Sequence, residues 1–300
     1  MAHLVDMNTS KRNMIMSKKK TYSILLISCF VLLASIGILY YITNPSHRII
    51  PSLSDSSYFI AHATGSLEGY TYLNSKESLL SSLDNGYKYI EFDLQYTSDS
   101  IIVCVHNWEQ FNKATIPNIC GQDSDKYMKV PSYAEFKNRK IYGKYTPLSL
   151  QDVISIQSQI PFTIVTDIIS DAKSLNHYFP QNLRRDVMVE AFSENDYKEL
   201  KADGYIPMLS LGCISIIPDG LSFICSNIIS NEYEWIAAEQ HSSKRTLRLL
   251  RKLFGIKIAL HTVNSAAFYS WHLANDVDLI YTDNWNLRRQ LNNYEDNSTR

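Results

Sequence analysis

Hydrophobic and polar positions follow two different patterns along this chain. From Thr21 to Thr43, TYSILLISCFVLLASIGILYYIT, the apolar run contains no charge. As a helix it is long enough to cross a bilayer. Tyr40 and Tyr41 stand where interfacial aromatics belong. From Tyr58 onward, short strand-like runs alternate with stretches of helical spacing. The strand-like runs are residues 58–61, 89–94, 101–106, 162–168, 186–191, 206–211, 221–226, 257–262 and 277–282. Helical spacing covers residues 75–85, where Ser75 is a cap and Leu79, Leu80 and Leu83 share a face, and residues 149–157, 171–178, 193–203, 235–254 and 265–275. An irregular insert occupies residues 107–145.

Near-continuous apolar strands separated by helices predict a parallel sheet buried on both faces. No Gly-x-Gly-x-x-Gly follows the first strand, which removes the main dinucleotide-binding signal. Polar residues instead end many different strands: His62, Asp93, His106, Asp167, Glu190, Thr262 and Asp283. A closed (β/α)8 TIM barrel builds its active site at those strand ends, so this is the expected fold. The strand-like runs outnumber eight, so at least one belongs outside the barrel.

The chemistry concentrates between Tyr58 and Trp108. Glu91 and Asp93 lie two apart in a strand, so they share a face, while Ile90, Phe92 and Leu94 share the other. Two acids on one face of an otherwise apolar strand call for a cation, and a hard divalent ion such as Ca2+ or Mg2+ takes oxygen ligands. His62 and His106 close the strands on either side in sequence. Paired histidines suit general acid and general base work.

Composition adds topology. The chain has 300 residues, 45% of them hydrophobic, and a formal charge of -1. That balance gives no electrostatic case for nucleic acid. Lys11, Arg12, Lys18, Lys19 and Lys20 precede the apolar run and only His47 and Arg48 closely follow it. The positive-inside rule therefore predicts a cytoplasmic tail (residues 1–20), a transmembrane helix (21–43) and an extracytoplasmic remainder. A cleaved signal peptide is the rival, but the run is long for one and no small-x-small cleavage site follows. The Pro- and Ser-rich residues 44–57 read as a linker, 58–293 as the folded domain and 294–300 as a frayed tail. Cys104 reads as a packed thiol, and Cys213 with Cys225 as the more plausible disulfide in an oxidising space.

The segments His62-Ala63-Thr64-Gly65, Glu91-Phe92-Asp93, Thr97-Ser98-Asp99 and His106-Asn107 fall in order. They are followed by Val165-Thr166-Asp167, His261-Thr262-Val263-Asn264 and Ile280-Tyr281-Thr282-Asp283. Together they resemble the glycerophosphodiester phosphodiesterases, whose barrel is shared with sphingomyelinase D-type phospholipases. The resemblance implies Glu91, Asp93 and Asp167 as metal ligands and His62 and His106 as catalytic residues. It also implies attack by a neighbouring substrate hydroxyl through a cyclic phosphate. Two departures stand out: the family's arginine after the first histidine is Ala63, and its lysine after the third acid is Ile169. The expected protein is thus a membrane-anchored, metal-dependent phosphodiesterase. The alternative is a silent barrel that binds or helps assemble a surface glycan. A glycan hydrolase would need acids facing each other across a cleft rather than neighbours on one strand.

Overall fold

The computed structural model describes residues 2–43, 58–116, 125–212, 233–265 and 277–284. The chain divides into two units, Met1–Pro45 and Ser46–Arg300. The first is a single helix, Ala2–Thr43. Its segment Tyr22–Tyr41 has a mean hydropathy of 2.5 and buries none of its side chains. Ser35 turns its hydroxyl back onto the Val31 carbonyl, 2.8 Å away, so its polar group is satisfied within the helix. By length and composition this helix suits either a membrane span or a signal sequence.

The second unit is a closed barrel. Its strands are β1 (Phe59–Ala61), β2 (Tyr89–Tyr96), β4 (Thr163–Asp167), β5 (Val187–Ala191), β6 (Ile206–Ser210), β7 (Trp235–Glu239), β8 (Lys257–His261) and β9 (Leu279–Thr282), while β3 (Ile102–Cys104) stands apart. β1 pairs in parallel with both β2 and β9, which closes the ring of eight. This is the (β/α)8 architecture expected from the strand pattern.

Alternation along each strand explains the apolar runs. Ile60, Val165, Met188, Met208, Ala237, Ala259, Leu279 and Tyr281 fill the barrel interior. Phe59, Ile90, Phe92, Ile164, Val187 and Ile258 form a second core with Leu79, Val153, Leu175, Leu200 and Leu250 from the surrounding helices. Caps sit where expected. The Ser75 hydroxyl accepts the Ser78 amide, and Ser149 forms a reciprocal capping box with Asp152.

Four expectations change. β3 is not a barrel strand. It folds back antiparallel on the end of β2, with Leu94 opposite Cys104, and so is the surplus strand. The helix expected over 235–254 begins only at Lys244. Trp235–Glu239 is β7, fully framed by β6 and β8, because burial between two strands overrides the helical preference of Ala-Ala-Glu. The helix expected over 171–178 shortens to Ala172–Leu175, capped by Asp171. Among its described residues the insert holds three short helices, Trp108–Thr115, Asp125–Met128 and Tyr133–Lys137, the first and third packed together through Phe111 and Phe136. The runs at 221–226 and most of 265–275, and with them Cys213 and Cys225, lie outside the described residues.

Candidate active site

The inward faces of six barrel strands end on a polar residue, and a polar residue immediately follows each of the other two. Asp93 on β2 stands in register with Asp167 on β4, and Glu239 on β7 with His261 on β8. Glu190 and Ser210 end the inward faces of β5 and β6. His62 and Asp283 immediately follow β1 and β9.

Glu91, Asp93 and Asp167 converge, with ligand oxygens all within 4.8 Å of one another. Glu91 and Asp93 are each only 1% exposed. Local backbone geometry holds them. The turn after β1 puts Ala63 and Thr64 consecutively in the left-handed region, at φ 46° and 69°. That conformation costs a non-glycine residue about 1–2 kcal/mol. It aims the Ala63 amide at Glu91 Oε2, 2.5 Å away. Asn74 clasps Asp93 twice: its Nδ2 donates to Oδ2 at 2.8 Å and its Oδ1 accepts the Asp93 amide at 3.2 Å. Asp167 Oδ1 accepts the Ile168 amide at 2.5 Å.

One oxygen has no protein partner. Glu91 Oε1 is buried and accepts no hydrogen bond from any described residue. Burial, then the charges of Asp93 and Asp167, push the Glu91 carboxyl well above its usual range. Burial raises Asp93 too, against the lowering effect of the Asn74 hydrogen bond and the nearby histidines. Three mutually repelling carboxylates with an orphaned oxygen fit a hard divalent cation, which all-oxygen donors favour.

The two histidines are held differently. His62 Nδ1 lies 2.7 Å from Asp283 Oδ1. A carboxylate there favours Nδ1–H and leaves Nε2 bare. His106 Nδ1 lies 3.1 Å from Asn107 Nδ2. Asn107 cannot turn over freely, because its Oδ1 accepts the Gln110 amide at 2.9 Å and caps the helix that follows. Its amino group therefore donates to His106 Nδ1, which places the proton of a neutral ring on Nε2. Tyr72 lies between the rings, its centroid 4.8 Å from His62 and 4.6 Å from His106. Burial and then the charges of Asp283, Asp93, Glu91 and Asp167 raise its hydroxyl.

The structure thus gathers all five expected site residues at one end of the barrel. Asn74 and Tyr72 join them there, through the path of a loop rather than through spacing. Neither departed position supplies a cation. Ala63 is fully buried, and Ile169 packs into the outer core.

Glu190 is a further buried acid at the mouth. Burial, then the Asp167 charge, pushes it up to about 8 from its usual 4.5. The folded protein therefore holds this proton where the unfolded chain has lost it. Its contribution to stability is greatest below about pH 4.5 and declines as pH rises to about 8, by at most about 1.4 kcal/mol per pH unit. In metal-free protein, Glu190→Gln should flatten the fall in melting temperature between pH 5 and 8. Melting curves with the same pH slope in both proteins would contradict this.

The sequence model of the glycerophosphoryl diester phosphodiesterase family matches residues 66–207, a span holding all three acids and His106. Those residues carry a domain of this family. The chain is accordingly a glycerophosphodiester phosphodiesterase-like hydrolase. No curated protein matches the sequence. Solved structures share the fold at low identity. A candidate glycerophosphodiester phosphodiesterase from Galdieria sulphuraria superposes with a TM-score of 0.62 at 18% identity, covering 79% of this chain and 98% of that one. An Oleispira antarctica phosphodiesterase in complex with the product sn-glycerol-3-phosphate gives 0.58 at 18%, covering 79% and 96%. A glycerophosphodiester phosphodiesterase from Parabacteroides distasonis gives 0.57 at 16%, covering 82% and 99%.

Proposed function

We propose that this protein is a membrane-anchored, metal-dependent hydrolase of a glycerophosphodiester or of a phosphodiester-linked glycan or lipid head group. Residues 21–43 are its anchor and 44–57 a linker. The catalytic domain, 58–293, stands outside the cytoplasm, in keeping with the excess of Lys and Arg before the apolar run. One observation carries the chemistry: three carboxylates around an orphaned oxygen, beside two histidines in opposite hydrogen-bonding states.

Glu91, Asp93 and Asp167 would hold Ca2+ or Mg2+, which polarises phosphoryl oxygens and offsets developing charge. His62 accepts the proton of the attacking hydroxyl on Nε2, and Asp283 stabilises the resulting imidazolium. His106 presents Nε2–H to the departing oxygen as a hydrogen-bond donor. A P–O bond forms to the attacking hydroxyl and the P–O bond to the leaving alcohol breaks. The departing oxygen takes a proton from solvent and His62 Nε2 returns its own to solvent, so the proton count closes, and attack of water on the cyclic phosphate completes the hydrolysis. Asn74 keeps Asp93 aimed, and the buried flanks of β2 keep both acids rigid.

The test is hydrolysis of a panel of glycerophosphodiesters by purified full-length protein after chelation and after refilling with each ion. Activity should vanish on chelation and return with Ca2+ or Mg2+. Full activity in chelator would refute the metal requirement. The silent-barrel reading draws on the buried Ala63 and Ile169, and would be favoured if the protein took up the ion but cleaved none of the panel.

A further inference from the structure

The insert builds a second cavity against the histidine side of the mouth. It measures about 380 Å3, and His106, Tyr72, Asn107, Gln110, Lys113 and Tyr142 line it among others. Its wall is firm. Phe111 and Phe136 stack at 5.1 Å, and Asn112 donates to the carbonyls of Tyr127 and Lys129 at 2.7 and 2.8 Å. His106 belongs to both spaces, and Asn74, which clasps Asp93, also lines the cavity. A group bonded to phosphorus at the acid cluster and leaving past His106 would enter it.

We propose that this cavity is the subsite for the leaving alcohol, and that it selects a polyhydroxylated, uncharged or anionic group of the sugar class over a quaternary ammonium head group. The proposal rests on reading the mouth as a phosphodiester site. Aromatic rings alone would serve either ligand, since ammonium groups favour aromatic faces and the apolar faces of sugar rings pack on them too. Charge decides between them. Among the described residues that line the cavity no carboxylate occurs, and Lys113 supplies a positive charge. Lys113 is paired with Glu109 at 2.5 Å, but both side chains are about half exposed, so the pair yields readily to a ligand. Gln110 brings a side-chain amide suited to hydroxyl groups. Tyr142, 47% exposed and stacked on Tyr70 at 4.2 Å, offers a flat, pre-set face.

The experiment is calorimetric titration of the detergent-solubilised full chain, loaded with Ca2+, with glucose 1-phosphate and with phosphocholine. Cleavage of bis(4-nitrophenyl) phosphate is measured in parallel. Glucose 1-phosphate should bind roughly tenfold or more tightly than phosphocholine. Lys113→Gln should narrow that ratio, Lys113→Glu should erase or invert it, and Tyr142→Ala should weaken the sugar phosphate selectively. Equal or tighter binding of phosphocholine by the unaltered protein, or an equal loss of both ligands in Lys113→Glu, overturns the subsite. Failure to cleave any diester with the binding preference intact instead counts against the hydrolase reading and leaves the subsite standing.

Discussion

Replacing Glu91 or Asp93 by alanine is expected to abolish divalent-ion uptake and to cut diester hydrolysis by roughly 10³-fold or more, the scale on which electrostatic stabilisation of a transition state operates. The reason is geometric. These two acids are rigidly paired on β2, and with Asp167 their oxygens lie within 4.8 Å. No other described group answers Glu91 Oε1. Asn74→Ala should weaken ion affinity by about 10–100-fold, because Asp93 then loses the amide that aims it. The metal-free protein should respond in the opposite direction. Glu91→Gln removes a carboxyl that burial, and then the neighbouring acids, hold well above the usual range, so the apo form should melt higher while taking up no ion. Titration calorimetry and melting curves read both effects. Undiminished Ca2+ and Mg2+ binding in folded Glu91→Ala would sink the assignment.

His62→Ala and His106→Ala should each lower hydrolysis by about 10²–10⁴-fold and leave ion binding intact. The two histidines are not interchangeable. Asp283→Asn should weaken the stabilisation of a charged His62, a loss that falls on kcat more than on KM. Asn107→Asp is the sharper test of His106. An aspartate can still cap the helix at Gln110, but it accepts rather than donates, so the proton of the neutral ring must move from Nε2 to Nδ1. Nitrogen-15 spectra of the imidazole distinguish the two tautomers directly. An unprotonated Nε2 in the unaltered protein would contradict the roles assigned here.

Much of this architecture can be read along the chain. Alternating apolar strands and capped helices are local properties, which is why Ser75, Ser149 and Ser193 mark helix starts correctly. Shared strand faces are local as well. The period of two already put Glu91 and Asp93 together, opposite Ile90, Phe92 and Leu94. Where local preference and burial disagree, the sequence misleads. Trp235–Glu239 looks helical by composition yet is a barrel strand, and Ile102–Cys104 looks like a barrel strand yet folds back antiparallel on the overhang of β2.

By itself, then, the amino-acid order determined most of the element types, the barrel class and which polar residues end its strands, because periodicity and strand-end polarity depend on neighbours a few positions apart. Only the folded chain decided which side chains meet across loops. Asn74 reaches Asp93 and Asp283 reaches His62 from elements 19 and 221 residues away in sequence. The tautomer of His106 was settled in the same way, since it depends on which atom of Asn107 a helix cap has already claimed. Closing the barrel brings distant strand ends to one mouth, and no local pattern records that closure.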